Sequence, residues 1–211
     1  MKIIDLSHEF KDSTTLYPDT EKPTIENIGT VETNGSNSMR LTYTNHIGTH
    51  LDVQAHMIKD GKMIDEYELE RFVGKGVVIN CVGFKEINKK DLVGYIEGMD
   101  FVLIHSGYGE LYNDQSYFTG YPVFTISAIE YLISEGVRGI GVDYISVDPI
   151  GSTDFKIHKP ILGNDIIIYE NLYNLELLLN KSFTFMGIPL KIKGDGLPVR
   201  AVALLDIDVL V

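Results

Sequence analysis

Short runs of aliphatic and β-branched residues, separated by polar or glycine-containing stretches, recur along the whole chain. They predict strands at residues 3–6, 40–46, 76–82, 101–105, 137–142, 166–169, 183–185, 190–193 and 199–209. The best helix pattern covers residues 127–135, where Ser127 and Glu130 make a capping box and Gly136 supplies a stop. Residues 88–97 and 171–179 are further helix candidates. A strand at 101–105, a helix at 127–135 and a strand at 137–142 predict one right-handed βαβ crossover. Strands crowd toward both ends with few helices between them, which favours a mixed, strand-rich sheet over a doubly wound one. With no internal repeat, low-complexity tract or linker, the expectation is a single α/β domain over residues 1–211.

Composition narrows the classes of partner. Hydrophobic residues at 44% and charged residues at 23% of 211 describe an ordinary globule. Eighteen basic against thirty acidic residues leave a net charge of −12. That charge repels phosphate backbones and anionic lipid, so no nucleic-acid or membrane partner is expected. No apolar run approaches the ~18 residues of a spanning helix. The opening Met1-Lys2-Ile3-Ile4-Asp5 meets an acid too early for a signal-peptide core. The single cysteine, Cys81, permits no internal disulfide and reads as a buried apolar thiol. The cytoplasm is the expected compartment.

The histidines change the picture. Of six, three fall within eleven residues, in Asn45-His46-Ile47-Gly48-Thr49-His50-Leu51-Asp52-Val53-Gln54-Ala55-His56. Alternation before this segment brings His46 out of a strand, and His46, His50 and Asp52 share the even-numbered face. Four extended residues span about 13 Å, too far for two imidazoles to share one ion at bonds of ~2 Å. The chain must therefore bend between them, and Gly48 is the residue that tolerates a bend. Asp52 and His56, four apart, meet again if a helical turn begins there. Two imidazoles and a carboxylate are the donor set of many catalytic zinc sites, where the ion lowers the pKa of water to ~7. Manganese or iron accepts the same donors. His56, left over as a ligand, is the candidate acid/base.

Residues 46–56 closely resemble the H-x-G-T-H-x-D-x-P-x-H motif of the cyclase family, which includes bacterial kynurenine formamidases, isatin hydrolases and proteins named as polyketide cyclases. The likeness extends to Asp5-Leu6-Ser7-His8, to Tyr17-Pro18, to Gly141-Val142-Asp143-Tyr144-Ile145-Ser146-Val147-Asp148 and to Leu197-Pro198-Val199-Arg200-Ala201-Val202. His158 and Glu170, twelve apart, match the family's downstream ligand pair. The resemblance implies a compact swivelling β/β/α fold, assembled as a homodimer or larger, and a centre of two zinc ions. It implies that His46 and His50 bind the first ion, His158 the second, and Asp52 and Glu170 both. His56 becomes the proton donor or acceptor, and Tyr17 lines the substrate pocket. Two departures stand out: Gln54 replaces the motif's proline, and Tyr17 stands where formamidases of the family commonly carry tryptophan.

The implied activity is metal-dependent hydrolysis of a small amide by activated water, with N-formyl-L-kynurenine as the leading substrate and formate as product. A cyclic amide such as isatin, a lactone, or a cyclase reaction is the alternative. A non-catalytic metal-binding assembly protein stands behind both, because the donors exceed what a structural site needs. Among the other residues, His8 reads as structural, while His105 at a strand end could reach a pocket. Asp143 and Asp148 read equally well as turn carboxylates or as supports for ligands. Gly107-Tyr108-Gly109 is too short for a nucleotide fingerprint. The charged runs 66–71 and 85–91 read as solvated faces.

Overall fold

A computed structural model describes residues 1–205. In chain order the strands are β1 (Lys2–Asp5), β2 (Thr24–Gly29), β3 (Ser38–Thr42), β4 (His50–Asp52), β5 (Val73–Asn80) and β6 (Glu86–Ile87). They continue with β7 (Phe101–His105), β8 (Val123–Phe124), β9 (Gly139–Val142), β10 (Ile167–Glu170), β11 (Phe183–Met186), β12 (Gly196–Pro198) and β13 (Val202–Leu205). The α-helices are α1 (Val31–Asn34), α2 (Lys89–Leu92), α3 (Ile126–Ser134) and α4 (His158–Gly163).

Nine strands form one mixed sheet in the order β1-β13-β11-β5-β7-β9-β10-β4-β12. Its centre, β5-β7-β9-β10, is parallel, and antiparallel strands extend it on both sides. Strands β7, β9 and β10 are buried on both faces, as unbroken apolar runs such as Phe101-Val102-Leu103-Ile104 require. Side-chain alternation divides the core in two. Val102, Ile104, Ile140 and Ile168 face the layer carrying α3 and α4, whereas Phe101, Leu103, Tyr169 and Phe185 face the other. The strand-rich α/β architecture agrees with the expectation. The predicted crossover is present in outline: β7 and β9 are parallel neighbours, with α3 between them in the chain.

Several boundaries differ for identifiable reasons. Helix α3 is capped by Thr125, whose Oγ1 accepts from the Ala128 amide, rather than by Ser127. The predicted stop at Gly136 is observed in the left-handed region, at φ +71°. The 88–97 pattern reduces to α2, and 171–179 to a 3-10 turn, Leu175–Leu178. Residues 190–193 form no strand: Leu190 and Ile192 are exposed, and an apolar alternation without a pairing partner does not make a ladder. The 40–46 run ends as a strand at Thr42 and pairs only with β2, in an exposed ribbon outside the main sheet. The strand predicted at 199–209 is β13 over 202–205, and its residues 206–209 lie outside the described part of the chain. No helix among the described residues is long and apolar enough to cross a membrane.

Candidate metal centre and active site

Strand β4 is three residues long and buried throughout. It lies between β10 and β12, in a register that sets His50 opposite Glu170 and Asp52 opposite Gly196. Cross-strand partners project to one face, so His50, Asp52 and Glu170 rise together from the side of the sheet that carries α4. His158, the first residue of α4, closes the group from above. Glu170 ends a parallel strand, the usual position for function in α/β sheets.

The predicted bend is present. Gly48 has φ +61°, a backbone that side-chain-bearing residues rarely adopt, and the carbonyl of this residue accepts from His50 Nδ1 at 2.8 Å and from Asn171 Nδ2 at 2.9 Å. His46 does not emerge from a strand as expected. It lies on a bend after β3, and that bend is what swings its ring back over Asp52. Gly196 makes room for it: a Cβ there would stand 2.3 Å from His46 Cε1. The helical turn expected near His56 is a single 3-10 turn, Gln54–His56.

These elements converge. His50 Nε2 lies 3.5 Å from both Asp52 Oδ1 and Glu170 Oε2. His158 Nε2 is 3.3 Å from Glu170 Oε1 and 3.8 Å from Asp52 Oδ2. His46 Nδ1 is 2.6 Å from Asp52 Oδ1. Among the described residues, two clusters have donor atoms close enough to share an ion, His50-Asp52-Glu170 and His46-Asp52-His56, and Asp52 belongs to both. His56, singled out as the histidine not used as a ligand, therefore stands within ligand range as well as beside the cavity. The donors are all nitrogen and oxygen, the set that suits zinc or manganese.

Charge within the site has one clear direction. Burial by itself would lower the His46 pKa, but Asp52 and Asp195 outweigh it and raise it to about 10. Burial would likewise lower His158, yet hydrogen bonds to Asp148 and Glu170 raise it to about 10. Burial would raise Asp52, but the surrounding imidazoles, His46 foremost, hold it well below the usual carboxylate range. Buried carboxylates thus draw protons onto the imidazoles when no other cation is at hand. The residues present fit a divalent cation on this ground, since an ion of that charge answers the same demand without protons.

The site opens into a cavity of about 290 Å³. Tyr17, Ile47, Met57, Ile145 and Phe155 give it largely apolar walls. Tyr17, which the resemblance assigns to the substrate pocket, lines this cavity, and its Oη accepts from the Gly151 amide at 3.2 Å. Asp148 supports His158: its Oδ2 accepts from His158 Nδ1 at 2.7 Å, and its two oxygens take the Ile157 and His158 amides. His105 is not at this cavity. It pairs with Asp143 at 3.3 Å, two strands away, where Asp143 caps the Ser106 and Gly107 amides. His8 stacks on Tyr112 at 3.7 Å and is buried enough for its pKa to fall to about 4, as a structural histidine would.

One residue escaped sequence reasoning. Asp195, between two glycines in a stretch that reads only as a turn, places Oδ2 3.0 Å from His46 Nε2 and 3.2 Å from His56 Nδ1. Its carboxyl is held well below the ordinary range, chiefly by the His46 hydrogen bond. Only the pairing of β12 with β4 brings it there.

The fold has counterparts among known proteins. Residues 4–149 match the family described as "Putative cyclase", and the chain belongs to that cyclase family. The kynurenine formamidase of Bacillus mycoides (strain KBAB4) is 29% identical over 203 residues, covering 94% of this chain and 95% of that protein. The kynurenine formamidase of Bacillus cytotoxicus is 30% identical with the same coverage. Among solved structures, isatin hydrolase A from Ralstonia solanacearum superposes with a TM-score of 0.85 at 25% identity, over 97% of this chain and 92% of that one.

Proposed function

We propose that this chain is a metal-dependent hydrolase of small amides, an arylformamidase that releases formate from N-formyl-L-kynurenine. The observation that carries the proposal is the convergence of His50, Asp52, Glu170 and His158 on the floor of a cavity whose edge holds His56. By the resemblance, His46 and His50 would hold a first ion and His158 a second, and Asp52 and Glu170 would serve both. Zinc is the preferred metal and manganese an acceptable one. Such ions, when bound, supply charge that polarises an amide carbonyl and acidifies water.

The chain's own residues do the rest. The Gly48 carbonyl and Asp148 hold the far nitrogens of His50 and His158, so their Nε2 atoms stay turned toward the centre. Tyr17, Met57 and Phe155 present apolar surface for an aryl ring and exclude water from it. His56 turns Nδ1 to Asp195, and its Nε2, without a hydrogen-bond partner among the described residues, is the atom that moves a proton. His56 takes a proton from water as the water oxygen bonds to the formyl carbon, and returns it to the aniline nitrogen as the carbon–nitrogen bond breaks, leaving formate and the free amine.

Hydrolysis of N-formyl-L-kynurenine and of isatin, assayed side by side, tests the substrate. Formate release from the first supports the proposal; ring opening of isatin alone replaces it with a cyclic-amide hydrolase. That second reading is favoured by Tyr17 where formamidases of the family commonly carry tryptophan and by the likeness to an isatin hydrolase. A full complement of metal with no hydrolysis of either would point to a binding protein. A homodimer or larger assembly is part of the proposal and is supported by Met39 and Leu41, neighbours on one face of the β2–β3 ribbon and 60% and 51% exposed. Sedimentation equilibrium measures it. The cytoplasm remains the proposed location.

A further inference from the structure

We propose that Asp195 is a positioning residue that holds His46 and His56 together, tying metal retention to proton transfer. This rests on the roles given above to His46 as a ligand and His56 as the acid/base.

The inner histidines share a pattern. Each turns one nitrogen to the centre and has the other held from behind: His50 Nδ1 donates to the Gly48 carbonyl at 2.8 Å, and His158 Nδ1 to Asp148 Oδ2 at 2.7 Å. A partner on the far nitrogen sets the tautomer and the ring plane. His46 follows the same plan with its nitrogens exchanged. Its Nδ1 faces Asp52 at 2.6 Å, and its Nε2 is held by Asp195 Oδ2 at 3.0 Å. Asp195 thus stands to His46 as Asp148 stands to His158.

Asp195 differs in serving two rings. The same Oδ2 lies 3.2 Å from His56 Nδ1, and the His46 and His56 rings are only 3.9 Å apart between centroids. One oxygen therefore accepts from the outer nitrogen of a ligand and from the outer nitrogen of the acid/base. The carboxylate is itself fixed. Asn45 Nδ2 donates to its Oδ1 at 2.7 Å, and the Val53 amide donates to its backbone carbonyl at 3.0 Å. Displacing this oxygen frees both rings at once, whereas displacing Asp148 frees only one.

Asp195→Asn, which keeps the shape and removes the charge, and Asp195→Ala separate this role from simple loop packing. Zinc affinity of the metal-depleted protein is measured by chelator competition with zinc alone. kcat and KM are measured on whichever amide the parent hydrolyses. Both variants are expected to lose zinc affinity by about 10–100-fold. At saturating zinc, kcat is expected to fall by a similar factor while KM stays within about twofold. Zinc affinity and kcat both within about twofold of the parent in Asp195→Asn would overturn the proposal. So would lost zinc affinity with an unchanged kcat at saturating zinc, because His56 would then not depend on Asp195. Should the parent prove inactive on every amide, the function proposed above fails by itself, while unaltered zinc affinity in the variants still overturns the role given to Asp195.

Discussion

At the floor of the cavity, His50, Asp52, His158 and Glu170 are 4%, 1%, 4% and 5% exposed and stand on two strands and a helix. At the rim, the side chains of His46 and His56 are each 23% exposed and stand on a bend and a single 3-10 turn. The residue types are the same, but what holds them differs. Sheet register and main-chain hydrogen bonds set the floor, so its geometry is shared with the core and resists change. The rim is set by side-chain hydrogen bonds: both rings reach the partly exposed Asp195, and His46 also reaches Asp52. A rigid floor suits the fixed placement of charge, and a softer rim suits a group that gives and takes a proton.

Four measurements break or sharpen that contrast. The largest effect is expected at the residue both clusters share: Asp52→Ala should lose metal and more than about 10⁴-fold in activity together, since charge stabilisation and water activation depend on the ion. Retained metal, measured by elemental analysis, would show that the floor does not hold it. Next, His56→Ala should lower kcat by about 10²–10⁴-fold with bound metal near the parent level. Loss of metal in that variant would move His56 from acid/base to ligand, a role its closeness to His46 and Asp52 allows.

Asp148→Asn is expected to weaken metal affinity by about 10–100-fold, through the freed His158 ring, with His56 undisturbed. The smallest effect is in the stability of the metal-free protein against pH. His46 and His158 have folded-state pKa values raised to about 10 from an ordinary 6.5. Their contribution is fully present below pH 6.5 and is lost as pH rises through 10. The thermal midpoint of the metal-free chain should fall over that window, and zinc should abolish much of the slope, because ligated imidazoles carry no proton at the ligating atom. A flat profile without metal would mean that the carboxylates of the site do not hold protons on these rings.

Legibility differed between the same two regions. The floor residues His50 and Asp52 were readable from one short motif, because residues two apart on a strand share a face. The Tyr17 wall and the pair His158 and Glu170 were reached through resemblance; by itself His158 looks like a loop histidine before Lys159-Pro160, although it begins α4. Asp195 left no trace. Nothing local distinguishes an aspartate between glycines that orients two imidazoles from one that merely turns the chain. Strand prediction failed in a related way at 190–193, where the apolar pattern was present but no neighbouring strand was available to pair with it.

The sequence by itself determined the α/β class, the central apolar strands, the bend and the identity of most of the candidate donors. These follow from patterns a few residues long, set by side-chain periodicity and the conformational freedom of glycine. The tertiary structure alone decided that β4 lies between β10 and β12, and so which carboxylates face which imidazoles. Strand partners far apart in the chain are chosen by the burial and hydrogen bonding of the whole sheet, and no window of sequence carries that information.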